Sequence, residues 1–391
     1  MPFFQDAPGN PDLFLTDPAL RAELTRRLPA ALLAIAQERG AAIGVASTDE
    51  LPRLAAQAEA EPPRLVAYDP WGRRVDEIHT SPAWEALRVF SARHGLVASG
   101  YEEGLGEHRR VVQAGMLYLF SASSATYSCP LAMTDAAARV LLDLAPAGLR
   151  DRLVAGLTST DPARFITSGQ WMTERTGGSD VGESETIARP AGVVDGERRY
   201  TLHGVKWFTS ATTSEMALTL ARIDDGETAP TPGSRGLSLF CVEIVREPGR
   251  GWRGIAVNRL KDKLGTKALP TAELTLEGAP ATLIGEPGRG VNIDSGVPLP
   301  SQLSRFTRDG CSALAAIPSS VCRCRSAWNV STATGTGPPL ASPNGPDSYM
   351  PGPPSNDNEQ ADSSSCLPSA AYAVGITYRS SYFASANKRY I

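Results

Sequence analysis

The sequence predicts an α+β protein: a helical N-terminal domain over residues 1–168, a middle β-barrel domain over 169–292, and a disordered low-complexity tail over 293–391. Three observations carry this. Up to about residue 168 apolar side chains recur at helical spacing. The chain then switches to short apolar stretches bounded by Gly, Pro, Asp and Asn. From about residue 294 it is rich in Ser, Pro, Gly, Thr and Asn, with no period of either kind. With 391 residues, 42% hydrophobic and 20% charged, there is apolar material for a sizeable core and length for two or three domains.

In the first part, Asp17-Pro18 reads as a cap followed by a first-turn proline, and Leu20, Leu24, Leu28 and Leu32 follow at fourfold spacing. Pro29 falls inside that pattern and splits the stretch 17–39 into two helices or one kinked helix. Residues 60–80, punctuated by Pro and Gly, carry no regular pattern and are expected to be irregular. Helices are expected over 82–95, 109–126 and 130–144, and the run VVQAGMLYLF at 111–120 is apolar nearly all round, as in a helix packed among others.

In the middle part, strands are expected at Tyr200–Leu202, Val205–Thr209, Met216–Ile223, Gly236–Val245 and Thr271–Leu276, with His203-Gly204 among the expected turns. Within Gly236–Val245, Ser238, Phe240, Val242 and Ile244 alternate with Leu237, Leu239, Cys241 and Glu243, so both faces are largely apolar. Strands without intervening helices favour a small barrel or sandwich. Gly249-Arg250-Gly251-Trp252-Arg253-Gly254 satisfies the dinucleotide pattern GxGxxG, yet IAVNRLKDKLG after it opens no helix to meet a pyrophosphate, so it is expected to be a loop between strands.

A net charge of −4 provides no global attraction to nucleic acid or anionic lipid. No stretch reaches the roughly 18 apolar residues of a membrane span, and the start lacks the order of a secretory signal. The expectation is an intracellular, soluble protein, with cytoplasm, mitochondrion and peroxisome all open. Its six cysteines are sparse, mostly late in the chain and expected to be reduced, and no metal site is expected.

The chemistry concentrates in QWMTERTGGSDVGESE, residues 170–185. Taken singly, its residues have plain explanations: a strand threonine, a glycine turn, and Glu174 and Asp180 as a solvated cap or turn pair. As an ordered set they do not stand alone. Cys129-Pro130-Leu131-Ala132-Met133-Thr134 precedes Met172-Thr173-Glu174 and Gly177-Gly178-Ser179-Asp180-Val181. Gly204-Val205-Lys206-Trp207-Phe208-Thr209-Ser210, Arg259 to Gly265, and Leu283-Ile284-Gly285 with Gly288 and Gly290 follow.

This order of landmarks resembles the acyl-CoA dehydrogenase family, most closely the branch that includes the bacterial alkylation-response flavoprotein. The resemblance implies FAD as cofactor, held at Trp171, Met172, Thr173, Gly178, Ser179, Trp207, Phe208 and Thr209. Ser179 would also meet substrate. Hydroxyls at Thr173 and Thr209 would meet the flavin edge, where reduction places negative charge, and Trp207 would cover its flat apolar ring. Gly177 and Gly178 would let a phosphate or substrate approach the backbone.

The implied reaction is oxidation of the α,β carbon bond of an acyl-CoA thioester, with electrons passed to an electron-transfer acceptor or oxygen. Intact relatives are expected to be homo-oligomers. In the family a C-terminal helical domain follows the β domain and supplies the glutamate that takes the α-proton. Here the resemblance ends near Val291-Asn292, and the tail holds a single glutamate, Glu359, in PPSNDNEQAD. No catalytic base is assigned, and the C-terminal domain is expected to be missing or replaced, leaving activity impaired. Two other readings are carried: a DNA-damage response flavoprotein that associates with DNA, and a non-catalytic truncated scaffold. DNA is not an expected partner of this chain, because Arg323, Arg325 and Arg379 form no basic stripe.

Overall fold

The computed structural model describes residues 9–291 except 179 and 228. The expected disordered tail, with Glu359 and the late arginines, lies outside the described residues, as does Ser179. Eight α-helices and eleven strands are found among the described residues. The first helix, α1 (Leu13–Thr16), is followed by α2 (Pro18–Arg27) and α3 (Ala30–Ala46). Asp17 caps α2 by accepting the Leu20 N–H at 2.9 Å, and the break before α3 falls at Leu28-Pro29. Proline lacks the N–H that would continue the ladder, so the leucine pattern becomes two helices. They are followed by α4 (Glu50–Ala60), α5 (Pro82–Arg93), α6 (Arg109–Ser121), α7 (Ser128–Leu144) and α8 (Ala147–Leu157). In α6, Val112, Met116, Leu119 and Phe120 are buried and Val111, Leu117 and Tyr118 partly so, as its apolar surround predicts.

Residues 60–80 are not irregular. They form a hairpin, β1 (Arg64–Tyr68) with β2 (Arg74–His79), antiparallel from Arg64–His79 to Tyr68–Arg74. Its pattern is unreadable locally because a register shift follows Val66 and Asp76 adopts a positive φ of 48°. A tertiary tether accounts for it: buried Asp76 accepts the Val257 N–H at 3.1 Å and Arg74 Nε at 2.8 Å, and Arg74 donates to the Val257 carbonyl at 2.8 Å.

The β domain comprises β3 (Ser168–Trp171), β4 (Ile187–Val194), β5 (Glu197–Ser210), β6 (Met216–Ile223), β7 (Leu237–Glu243), β8 (Arg246–Glu247), β9 (Gly251–Trp252), β10 (Ile255–Leu260) and β11 (Thr271–Ile284). Pairings β4–β5, β5–β11, β11–β7, β7–β6 and β6–β4 close a ring, which makes this a barrel, with β10, β9 and β8 continuing beyond β11. The strand β6 matches its predicted bounds. β5 overturns the expected turn at His203-Gly204: the strand runs straight through, and Gly204 stands there because a Cβ would lie 2.8 Å from the Thr186 backbone. β11 continues past Leu276 to Ile284.

Both faces of β6 and β7 are buried for different reasons. Met216, Leu218, Leu220, Leu237, Leu239 and Cys241 pack with α7 and α8, while Ala217, Ala221, Phe240 and Val242 fill the barrel. The GxGxxG segment joins β8, β9 and β10 and opens no helix. Gly249, Gly251 and Gly254 have φ of 70°, 79° and 67°, so the glycines serve left-handed turns. No helix among the described residues is long and apolar enough to cross a membrane.

Candidate functional site

The loop after β3 and the second half of β5 run side by side. The Trp207 N–H donates to the Thr173 carbonyl at 2.9 Å, which joins the two stretches the sequence singled out. Just there the ladder between β5 and β11 is irregular: Lys206 opposes Leu274 and Thr209 opposes Ala272, so Trp207 and Phe208 together face Glu273. Such a bulge re-aims side chains. Lys206, Thr209, Ala272 and Leu274 are fully buried, whereas Trp207 is half-buried and Phe208 is 43% exposed. Alternation alone would have sent Trp207 and Phe208 to opposite faces. Here both rings lie near one ammonium, Lys261 Nζ, at 3.3 Å and 5.6 Å from their centroids.

The Trp207 indole is ringed by cations, with the Arg175 and Arg259 guanidiniums at 5.0 Å and 5.9 Å besides Lys261. Glu273 binds two of them, accepting from Lys261 Nζ at 2.6 Å and Arg259 Nε at 2.8 Å. Burial opposes the Glu273 charge, but these partners outweigh it and hold its carboxyl below the ordinary value. Burial likewise pulls Lys261 below the ordinary lysine value, with Glu273 opposing.

The other sequence-predicted residues fall in different places. Thr173 is half-buried, its hydroxyl has no partner among the described residues, and a Cβ on Gly178 would come within 3.0 Å of its methyl group. Thr209 is fully buried and donates its hydroxyl to the Ala272 carbonyl at 2.8 Å. Trp171 is also fully buried, within the barrel core, and its Nε1 has no partner among the described residues. Met172 packs at the edge of the core shared with α7 and α8. Thr134, at the end of the Cys129–Thr134 landmark on α7, accepts the Ser168 N–H at 3.0 Å and so ties that helix to β3.

Glu174 is not the solvated residue its turn-like surroundings suggest. It is 4% exposed and paired at 2.6 Å with Lys206 Nζ, which is wholly buried. The Glu185 N–H donates to it at 2.7 Å and the Thr186 hydroxyl at 2.6 Å, while Lys206 also donates to the Leu220 carbonyl at 2.8 Å. Burial would raise the Glu174 carboxyl, but Lys206, Thr186 and Glu185 together hold it below the ordinary carboxylate value. The pair was hidden in plain view: Glu174 and Lys206 each sit inside a landmark, and Lys206 lies in phase with buried Leu202 on β5, but no local pattern pairs it with a carboxylate 32 residues away.

Residues 5–161 match the family model of the adaptive response protein AidB N-terminal domain, and residues 169–279 match that of the acyl-CoA dehydrogenase middle domain. The chain is 44% identical over 294 residues to acyl-CoA dehydrogenase family member 11 of Caenorhabditis elegans, covering 74% of this chain and 47% of that protein. It is 33% identical over 293 residues to the putative acyl-CoA dehydrogenase AidB of Escherichia coli, covering 73% and 51%. The chain thus spans about half the length of these curated relatives. Among solved structures, Caenorhabditis elegans ACDH-11 in complex with C11-CoA is similar at a TM-score of 0.73 and 40% identity, over 80% of this chain and 51% of that one. By its two matched domains and these relatives, the chain belongs to the acyl-CoA dehydrogenase family.

Proposed function

We propose that residues 169–292 form a domain whose cleft at Thr173, Gly178 and Trp207 holds FAD, and that the chain takes part in oxidising an acyl-CoA thioester. The observation that carries this is the 2.9 Å bond from the Trp207 N–H to the Thr173 carbonyl, which brings the two cofactor-binding stretches of the family pattern together. The donor set fits a flavin. Thr173 has a hydroxyl free to donate, Gly178 leaves it uncovered, and three cations around Trp207 suit a group that becomes anionic on reduction. When bound, FAD supplies acceptance of a hydride from the substrate's β-carbon.

The chain's own residues orient and shield. Thr173 donates a hydrogen bond to the flavin edge, and Trp207 and Phe208 cover apolar surface and exclude water. Thr209 acts by fixing the bulge through Ala272, since its proton is already donated there. Met172 completes the proposed cofactor-binding set among the described residues, whereas the Trp171 side chain, wholly buried in the barrel core, supports that set from behind and does not meet the cofactor.

An acyl-CoA substrate is supported by the relative solved with C11-CoA. Neither carboxylate beside the cleft is free to act as base, because Glu174 is committed to Lys206 and Glu273 to Arg259 and Lys261. A base must lie within hydrogen-bond reach of the proton it takes. It is therefore neither Glu174 nor Glu273. FAD titration followed by flavin fluorescence tests the cleft: Thr173→Val should weaken binding while leaving the fold intact. A folded wild-type chain that ignores FAD would remove this reading.

A further inference from the structure

We propose that Lys206 and Glu174 are positioning residues that set the registration of Thr173 against Trp207; the inference rests on the flavin reading of that site. The two charged residues are the immediate chain neighbours of the two site residues, Glu174 following Thr173 and Lys206 preceding Trp207. Their side chains face away from the cleft, buried at 4% and 0% exposure, so neither meets a ligand there.

Four chain segments converge on this pair. Glu174 lies on the first leg of the loop, and it accepts from Glu185 N–H and the Thr186 hydroxyl on the returning leg, at 2.7 Å and 2.6 Å. Lys206 lies on β5 and donates both to Glu174, at 2.6 Å, and to the Leu220 carbonyl of β6, at 2.8 Å. The neck of the loop is therefore pinned to two barrel strands, β5 and β6, by directional bonds. Arg222 adds a second anchor farther along the loop, donating to the Ser184 carbonyl at 2.9 Å and to the Gly182 carbonyl. The bonds also fall where the ladder cannot help, because the bulge between Lys206 and Thr209 interrupts pairing with β11.

A well-packed apolar pair could supply comparable stability at such a site, since desolvating two charges offsets much of their attraction. It could not dictate a hydrogen-bonded register. The pair is thus explained by position better than by stability, in the way that outer partners orient the groups that touch a ligand.

The decisive variant is Glu174→Met with Lys206→Met in the full chain, which removes both charges at similar volume and leaves no lone buried ion. Three readouts apply: thermal unfolding, hydrogen exchange of the Trp207 and Glu185 amides, and FAD titration. The expected result is cooperative unfolding retained, selective loss of slow exchange at Trp207 and Glu185 while β6 and β7 stay protected, and FAD affinity lowered about 10- to 100-fold. Glu174→Gln in the Lys206→Met background, which keeps an acceptor for the Glu185 N–H and leaves no lone buried ammonium, should restore protection at Glu185 and part of the FAD affinity. A double variant that folds with wild-type exchange at Trp207 overturns the proposal, and so does one that fails to fold, which would make the pair a stability element. If wild type itself ignores FAD, the flavin reading falls, while the exchange data still decide whether the pair sets the register.

Discussion

At the scale of single residues, burial rather than residue type decides chemistry. Cys129 has its thiol pushed up to about 11 by burial, so at neutral pH it should react with a thiol reagent far more slowly than an ordinary cysteine, whose value is about 8.5. Timed alkylation with mass spectrometry checks this. Lys263 donates to the Thr266 and Leu269 carbonyls at 2.7 Å each and to the Thr271 hydroxyl at 3.1 Å, yet burial lowers its ammonium to about 8. The unfolded chain then holds that proton more tightly than the folded one, across the window from about 8 to the ordinary lysine value near 10.4. Stability should therefore rise with pH through this window, with the desolvation cost fully present below it, and Lys263→Met should flatten the slope in denaturant unfolding. Gly204→Ala should cost about 1–3 kcal/mol, because the new methyl would meet Thr186, with its Oγ1 at 2.6 Å and its Cα at 2.8 Å.

At the scale of elements, two irregularities carry the arrangement. The bulge in β5 turns Trp207 and Phe208 to the same side, and the β1–β2 hairpin reaches the barrel through Asp76. Asp76→Ala would leave the Val257 N–H and the Arg74 guanidinium without their acceptor. It should cost about 1–3 kcal/mol, read as a shift in denaturant midpoint without a change in slope. Neither feature is visible as a pattern. Alternation of apolar and polar residues indicates a strand only while one side chain opposes one partner, and Val205 to Thr209 break that rule at the residues of greatest interest. Where pairing is regular, as in Met216–Ile223, the strand was legible to the residue.

At the scale of the whole molecule, helices and barrel do not have separate interiors. One core joins Leu141, Leu149 and Leu153 of α7 and α8 to Leu218, Leu239 and Ile284 of the barrel strands, and another takes Ala211, Ala268 and Leu269 into the helical core. Residues 169–291 expressed alone should expose the first of these faces and associate, as light scattering would show, whereas the full chain should unfold its described part in one transition. Acid acts at the same scale. With its carboxyl held below the ordinary value, Glu174 contributes stability that is complete above that value and lost as pH falls through the depressed one. Lys206→Met should strand the buried carboxylate, at about 3–5 kcal/mol.

The sequence by itself determined the helical class of the first part and the β class of the middle part, the helix break at Pro29, the double-sided burial of β7 and the set of residues that mark the family. Those depend on local periodicity, on proline's missing donor and on residues close together in the chain. Only the tertiary structure decided that residues 64–79 pair as a hairpin, that Gly204 lies inside a strand, that Thr209 gives its proton to Ala272, and that Glu174 and Lys206 meet as a buried pair. Each of these is set by a partner distant in sequence, whether a backbone pressed against Gly204 or an ammonium 32 residues from its carboxylate. Hydrogen bonds and close packing act through space, and no local pattern encodes which remote segment will supply the other half.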